Sequence, residues 1–280
     1  MQERQKMKNK ANAFILILLL FNSCARDQQS LTASSGHPSA EMELGEAIHR
    51  EILKTSSVYQ EVELNSYVRS IGQKLASTAK RKKLNYQFII LNDDRIFATY
   101  APGGFVYITT GFFRFLNNEI ELAGILAHEI GLLQYKDPRL SKTKKAFDLL
   151  LRTGSYVGPA FGSIGAVSVL GLALIGAMTS GNKTLETRTR QADKHALRYL
   201  MECNYDPQGL VDPLRRMEDP ASPFRAYLYD YVTSHPISAK RFEKLDREFA
   251  KLPLADKEFQ SGRDVFLVKT NSVRSTFARK

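Results

Sequence analysis

The sequence contains no tryptophan and only two cysteines among its 280 residues. The two cysteines, Cys24 and Cys203, are too few and too far apart to indicate a disulfide framework or a cysteine metal site. Cys203 lies next to a helical apolar pattern, so we expect it to be a small buried hydrophobic residue. The cysteine content therefore excludes a disulfide-stabilised scaffold and leaves stability to an ordinary hydrophobic core.

Nucleic-acid-binding features are also missing, although the net charge is +11. The basic residues do not alternate with aromatic residues, and the sequence has no known nucleic-acid-binding motif. The excess charge indicates a solvated basic surface that is compatible with a membrane, and we expect no nucleic-acid partner. Hydrophobic residues make up 43% of the chain, which is enough for a substantial core.

The apolar run near the N-terminus, residues 13–21, is too short for an ordinary transmembrane helix. A basic segment precedes the run and Cys24 follows it, an arrangement typical of a secretory signal with a bacterial lipoprotein cleavage site. We predict a signal peptide over 1–24, a lipidated Cys24 that holds the protein on a membrane, and a flexible tether over 25–40. A plain cleaved signal and an uncleaved anchor are the alternatives.

A second apolar segment, residues 155–178, is long enough to span a membrane. Repeated glycines and a Gly-Pro pair interrupt it, which favours a buried or membrane-facing helical hairpin. A span at this place would put the two halves of the candidate site on opposite sides of a membrane.

The remaining periodicity predicts an α+β fold, mainly helical with a small antiparallel sheet. A Pro-Gly-Gly turn at 102–104 is expected to join two strands, and Asn117 or Asn118 to cap the helix that follows. We predict one domain over 41–251 and a C-terminal tail over 252–280. Helices are expected over 41–54, 62–79, 184–201, 207–217, 224–232 and 237–250, and strands over 86–91, 105–110 and, in the tail, 265–268.

Residues 128–132 read His-Glu-Ile-Gly-Leu, which is the zinc-protease pattern H-E-x-x-H without its second histidine. On a helix, positions i and i+4 lie about 40° apart around the axis, so two histidines there can hold one metal ion. The intervening Glu129 can then act as general base on a metal-bound water. Leu132 offers no lone pair, so this motif alone predicts an incomplete metal site.

From about residue 44 to residue 245 the chain resembles the gluzincin metallopeptidases that include the CAAX prenyl endoprotease and the heat-shock protease HtpX. It is most similar to their smaller periplasmic lipoprotein relatives. Four segments carry the resemblance in order: 102–111, 118–131, the Ala-Asp pair at 192–193, and the stretch from His235-Pro236 to Arg241. The resemblance implies a zincin-like fold and a zinc-dependent endopeptidase ancestry.

The resemblance also implies a ligand set, and here the chain departs from it. In the family, zinc is held by both histidines of H-E-x-x-H and by the glutamate of E-x-x-A-D, positions that correspond to His128, Leu132 and Thr189. Asp193 corresponds to the family's aspartate that hydrogen-bonds a zinc histidine. The family's Asn-Ala-Phe-Ala before Pro-Gly-Gly is altered as well, to the sequence at 97–100. Only one of three zinc ligands remains, so we expect weak or absent zinc binding.

Two outcomes remain open for the surviving residues. His128 and Asp193 can pair without a metal and pin two helices together, with Leu132 filling the vacated space. Alternatively, His235 or Tyr135 replaces the missing ligands and restores a site with His128 and Glu129. His195 is expected to face elsewhere and His49 and His37 to be surface and tether residues, while His235 is otherwise a loop residue packed before Pro236.

These observations support three functional hypotheses. The first is a peptidase-fold envelope lipoprotein, facing the periplasm, that has lost zinc and proteolysis and binds unfolded or envelope proteins through the ancestral substrate cleft. The second is an active metalloendopeptidase with a metal site rebuilt from His128, Glu129 and His235. The third is a purely structural envelope protein, which no motif specifically supports.

Overall fold

The computed structural model describes residues 39–135, 145, 185–255 and 257–277. The predicted α+β class is confirmed, since helices surround a small sheet in these ranges. The signal and tether (1–40, apart from its last two residues) and the apolar segment 155–178 lie outside the described residues. No helix within the described ranges combines the length and the hydrophobicity needed to cross a membrane.

The sheet contains three strands: β1 (Gln87–Leu91), β2 (Ala98–Ala101) and β3 (Phe105–Thr109). The spatial order is β1-β3-β2, with β3 parallel to β1 and antiparallel to β2. The prediction of a purely antiparallel sheet was therefore wrong in part. The two predicted strands run parallel because an unpredicted strand, β2, occupies the antiparallel position beside β3.

The Pro-Gly-Gly segment joins β2 to β3 as a tight 3₁₀ turn, Pro102–Gly104. Gly103 and Gly104 have φ values of 84° and 110°, which side chains with a Cβ rarely adopt. The turn reverses the chain so that Ala101 pairs with Phe105 and Ala98 with Ile108. The predicted turn is confirmed, but the strand that it connects to β3 is β2 and not β1.

Most predicted helices are confirmed within a few residues of their expected ends. The exception is 224–232, which divides into a 3₁₀ turn at Arg225–Tyr227 and a short helix. In chain order the helices are α1 (Ala40–Thr55), α2 (Val62–Ala76), α3 (Thr110–Phe115), α4 (Glu119–Leu132), α5 (Leu185–Glu202), α6 (Gln208–Glu218), α7 (Tyr229–Ser234), α8 (Ala239–Phe249), α9 (Arg263–Lys269) and α10 (Asn271–Phe277).

Helix α4 lies in the centre of the core and carries the His-Glu motif. Asn118 caps it by accepting a hydrogen bond from the backbone N–H of Glu121 at 3.0 Å, as expected for one of the two candidate asparagines. Every residue from position 120 to position 132 is buried. A helix that is buried on all sides holds its side chains in fixed positions, which suits a site built upon it.

The C-terminal tail is helical. The predicted strand at 265–268 was wrong, because these residues form helix α9. Phe266 is fully buried, and Arg274 of α10 donates hydrogen bonds to the carbonyl oxygens of Phe113 and Leu116 at 2.7 and 3.0 Å. Phe266 of α9 and Val273 of α10 are both buried, and the last two helices therefore belong to the folded body.

Candidate functional site

Asp193 connects three elements of the fold. Its Oδ1 lies 2.8 Å from Nδ1 of His128 on α4, and its two oxygens accept hydrogen bonds from Arg241 on α8, both at 2.9 Å. All three side chains are buried. The fork-to-fork geometry of the arginine and the carboxylate is the strongest form of charged hydrogen bond. The predicted contact between His128 and Asp193 is present, and Arg241 completes it.

The charges of this trio follow from its burial. Burial favours the neutral form of Asp193, but the adjacent Arg241 outweighs it, so the pKa of Asp193 lies below its ordinary value. Burial lowers the pKa of His128, which is therefore neutral at pH 7. Within the described part of the chain, neither ring nitrogen of His128 makes a well-directed hydrogen bond, so its 2.8 Å approach to Asp193 is a close electrostatic contact.

Glu129 faces His235, which the fold brings to the same site from the end of α7. The Oε1 atom of Glu129 lies 3.2 Å from Nε2 of His235, and both residues are buried. Tyr231 stacks on the His235 ring with a centroid distance of 4.3 Å, and the Ser234 hydroxyl lies 2.9 Å from Nδ1. His235 thus has a close neighbour at each ring nitrogen and on one ring face, without a hydrogen bond from Nε2 to any described residue.

His128, Glu129 and His235 form one cluster of possible metal ligands. One donor atom of each residue lies within 4.8 Å of the donor atoms of the others, and the His128 and His235 ring centroids are 5.3 Å apart. Two imidazoles and one carboxylate are a donor set that zinc accepts in proteins. Ligands about 2.0–2.1 Å from a tetrahedral zinc are about 3.3 Å from each other, so His128 would have to move closer.

Several buried polar atoms around the cluster have no hydrogen-bond partner among the described residues. Such atoms are Nε2 of His128, both carboxylate oxygens of Glu129, Nε2 of His235, the hydroxyl of Tyr231 and the hydroxyl of Thr189. Burial, followed by the nearby Glu129, raises the pKa of Tyr231 well above its ordinary value. Buried polar groups are rarely left unsatisfied, so this set of atoms favours an ion or ordered water among them.

The two positions at which the family resemblance places further zinc ligands are both buried. Leu132 is the last residue of α4, and Thr189 lies one turn before Asp193 on α5. An isobutyl group cannot bind a metal, and a neutral threonine hydroxyl is a far weaker ligand than a carboxylate. The residues present can form a zinc site only if His235 is one of the ligands. His235 follows α7, whereas Leu132 and Thr189 lie on α4 and α5.

The other predicted candidates lie apart from the cluster. Tyr135 follows the end of α4, and its ring faces His195 with the two ring centroids 6.4 Å apart. His195 faces elsewhere, as predicted, and stacks on Tyr199. His49 was predicted to be a surface residue but is half-buried, with its Nδ1 3.0 Å from the Tyr107 hydroxyl. His37 lies outside the described residues.

The sequence interpretation did not identify Tyr231 as part of the site. The spacing could have indicated it, because Tyr231 precedes His235 by four residues, and residues one helical turn apart are neighbours on the same face. The interpretation also gave Arg241 no role beyond its place in the resembling stretch.

The glycines of α4 explain how its neighbours come so close. A Cβ on Gly131 would lie 2.7 Å from the Ala192 carbonyl oxygen of α5, and one on Gly124 would lie 2.4 Å from the Gly209 carbonyl oxygen of α6. Only glycine permits these backbone contacts. The first contact brings the Asp193 segment of α5 against the motif helix.

The chain is similar to several known proteins, among them three of similar identity. The chain is 24% identical over 238 residues to the β-barrel assembly-enhancing protease of Escherichia coli (strain K12), covering 83% of this chain and 48% of that protein. It is 26% identical over 211 residues to the protein of the same name from Yersinia pestis, covering 72% and 42%. A putative β-barrel assembly-enhancing protease of Vibrio cholerae is 24% identical over 184 residues, covering 64% and 38%.

The chain spans about half the length of the curated relatives that it matches. A family model, that of peptidase family M48, matches residues 63–249. This range begins in α2, ends with α8 and contains every residue of the cluster around His128. The family resemblance derived from the motifs is thereby confirmed, and the chain belongs to peptidase family M48.

Proposed function

We propose that this protein is a peptidase-family protein of the bacterial envelope that binds envelope proteins and has lost, or largely lost, proteolysis. The observation that carries the proposal is the burial of Leu132 and Thr189 where the family resemblance places two zinc ligands. A catalytic zinc site normally requires three protein ligands and one open position for water. His128 alone does not satisfy that requirement.

The contacts of Glu129 also support impaired hydrolysis. A general base must lie within hydrogen-bonding reach of the water that it activates. Here Glu129 lies against His235, and an imidazole at 3.2 Å occupies the position next to its Oε1. The same contact gives Glu129 a structural role between α4 and the end of α7.

The relatives suggest the class of partner. Their name refers to β-barrel assembly, so we propose that this chain engages β-barrel proteins of the envelope before or during their assembly. Such proteins would contact the ancestral substrate cleft. The lipoprotein-like signal supports a location on a membrane, facing the periplasm, with lipidated Cys24 as the anchor.

The first experiment measures hydrolysis of an unfolded β-barrel protein by the purified chain, with and without a chelator. We expect no chelator-sensitive cleavage, and the same result for Glu129→Gln. The binding arm measures retention of the same unfolded protein on the immobilised chain. Chelator-sensitive cleavage that disappears in Glu129→Gln would contradict the proposed loss of proteolysis.

The double variant Leu132→His/Thr189→Glu tests whether the ligands alone are missing. If the scaffold keeps the family geometry, the variant should bind about one zinc per chain, because three ligands would again surround one point. Zinc content is measured by elemental analysis after dialysis, with Leu132→Ala/Thr189→Ala as the matched control. A variant that folds and takes up no more zinc than its control would contradict a preserved geometry.

A second candidate function is an active metalloendopeptidase with a rebuilt site. The clustering of His128, Glu129 and His235 is the specific observation that favours it. A zinc ion held there would supply a Lewis acid that polarises a peptide carbonyl or a water. Glu129 cannot be a ligand and a free general base at once, so this arrangement favours metal binding more than rapid hydrolysis.

Metal content separates the two candidates. The rebuilt site predicts about one zinc per purified chain, and His235→Ala should release it while leaving the contact between His128 and Asp193 in place. Less than about one tenth of an equivalent of zinc in the wild-type protein would exclude the second candidate. The first candidate would be unaffected by that result, since it requires only binding of the partner.

A further inference from the structure

A groove with a positive charge lies on the outer face of α5, apart from the cluster around His128. It consists of two adjoining cavities of about 170 and 370 Å³, which share Lys194 and Glu248 as lining residues. The first cavity lies between α5 and α8, and the second extends from α5 to the loop after α8. We call the two cavities together the basic groove.

Six cationic side chains line the basic groove and only three carboxylates do. The cations are Lys80, Arg190, Lys194, Arg198, Lys244 and Lys251, and the carboxylates are Asp193, Glu202 and Glu248. The Asp193 carboxylate is directed inward and is already neutralised by Arg241. The lining therefore contains four more cations than outward-facing carboxylates, and one of these cations, Arg190, also pairs with Glu186 at 3.9 Å.

The two remaining carboxylates leave several cations uncompensated. Glu248 forms ion pairs with two lysines, Lys251 at 2.7 Å and Lys194 at 3.4 Å. Glu202 pairs with Arg198 at 3.5 Å. Among the ion pairs formed within the described ranges, none involves Lys80 or Lys244. An anionic ligand would meet these two ammonium groups without displacing an existing partner.

The lowered pKa of His195 is consistent with the same excess of positive charge. Burial and then the neighbouring cations Lys80, Arg198 and Lys194 lower its pKa to about 4. The ring is therefore neutral at pH 7, in a place where a second cation would be repelled. Apolar side chains lie next to it, with Leu197, Met201, Leu252 and Pro253 lining the larger cavity. The groove thus offers both positive charge and an apolar surface.

Within this sequence, the residues outside the described ranges contain only five acidic side chains, one of which is Asp256. Residues 1–38 contain Glu3 and Asp27 as their only acidic side chains, and residues 136–184 contain Asp137 and Asp148, both among several lysines and arginines. Charge complementarity therefore favours an occupant from another molecule. The concave shape and the carboxylates within the groove favour a peptide over a flat anionic membrane.

We propose that the basic groove binds an acidic, amphipathic peptide segment of a partner protein. Aspartate or glutamate side chains of the segment would pair with Lys80, Lys194 and Lys244, and its apolar side chains would cover Leu197 and Leu252. Asp193 lines both the groove and the candidate site, but His128, Glu129 and His235 do not line the groove, and the proposal does not depend on whether they bind zinc.

The test uses the full chain and a fluorescein-labelled twelve-residue peptide of aspartate, glutamate and leucine, with binding followed by fluorescence anisotropy. The charge reversal Lys194→Glu/Lys244→Glu should weaken binding by about tenfold or more, because two attractive contacts become repulsive. The matched control is Arg69→Glu/Lys257→Glu, which makes the same change of net charge at exposed positions outside the groove. This control should change the affinity by less than about threefold.

Binding is located by the imidazole NMR signals of His195, which should shift when the peptide is added, while those of His49 on α1 should not. Far-ultraviolet circular dichroism verifies that both double variants are folded. Equal weakening by the two variants would overturn the proposal, since it would indicate attraction to overall charge. Binding to phosphatidylglycerol vesicles that requires Lys194 and Lys244, without peptide binding, would also overturn it.

Discussion

Asp193 is the residue on which the geometry of the candidate site most depends. Its carboxylate lies between neutral His128 and the guanidinium of Arg241, and all three are buried. Removal of one partner from a buried ion pair leaves an uncompensated charge in a medium of low polarity. The trio can therefore be maintained for structural reasons even if the metal chemistry has been lost.

We expect Arg241→Met to destabilise the protein by about 3–5 kcal/mol, because Asp193 would remain buried without its charge partner. Urea unfolding followed by circular dichroism measures the loss. The matched control is Arg215→Met, which removes an arginine–aspartate pair with Asp246 that is about half exposed. That change should cost less than about 1 kcal/mol. Similar losses in the two variants would contradict the assigned importance of Arg241.

His195 predicts a pH dependence of stability. Its pKa is lowered from 6.5 to about 4 in the folded protein, so between these values the unfolded chain binds a proton that the folded chain does not. The free energy of unfolding should therefore decrease as the pH falls from about 6.5 to about 4. His128, whose pKa burial also lowers, contributes in the same direction.

Replacing His195 with glutamine should reduce the slope of this dependence without abolishing it, since His128 remains. The measurement is the urea midpoint at closely spaced pH values for wild type and His195→Gln. His49→Gln is a positive control that should also reduce the slope, because burial lowers the pKa of His49 as well. Identical slopes for wild type and His195→Gln would show that His195 is not the titrating group.

At the scale of elements, helix α4 is fixed by close backbone contacts with its two neighbours. Gly124 meets Gly209 of α6, and Gly131 meets Ala192 of α5. The sequence places the motif on a helix, but it does not indicate which glycines make contacts between helices. That information depends on which faces meet in the folded protein.

We expect Gly124→Ala to destabilise the protein by about 1–3 kcal/mol, because the new methyl group would lie 2.4 Å from the Gly209 carbonyl oxygen and force α4 and α6 apart. Helix propensity alone would favour alanine by up to about 1 kcal/mol, so the sign of the effect is diagnostic. Thermal or urea unfolding measures it, with Ser66→Ala on the exposed face of α2 as the control. Stabilisation by Gly124→Ala would contradict the close contact.

Two elements show where local sequence reasoning failed. Strand β2 has the sequence Ala-Thr-Tyr-Ala, and two alanines in four residues give a weak strand signal. Its pairing with β3 is enforced by the Pro-Gly-Gly turn and by burial of all four residues. At helix α9 a strand was predicted where the structure has a helix. Its short apolar run fits a strand or a helix equally well.

At the scale of the whole molecule, the family match covers 63–249, and the described body extends beyond it on both sides. Helix α1 packs with Leu44 and Ile52 buried, and Phe266 and Val273 of α9 and α10 are buried as well. The peptidase-family region therefore shares its core with flanking helices. The membrane attachment proposed for this body lies in a separate segment of the sequence.

We expect Cys24→Ser to release the protein from the membrane, because acyl chains can be attached only to the cysteine. Fractionation of bacterial cells into membrane and soluble portions measures the effect, with Cys203→Ser as the control since Cys203 is buried. Wild type and Cys203→Ser should remain with the membrane. Retention of Cys24→Ser on the membrane would support an uncleaved anchor instead of a lipid.

The sequence by itself determined the family, the α+β class, the motif helix with a cap at one of two asparagines, and the absence of ligands at positions 132 and 189. These features depend on residue identity and on local periodicity, both of which the printed sequence contains. Only the tertiary structure decided that His235 faces Glu129, that Arg241 neutralises Asp193, and that cations from α5 and α8 line one groove. Each of these contacts joins residues distant in sequence, and their proximity depends on how the helices pack.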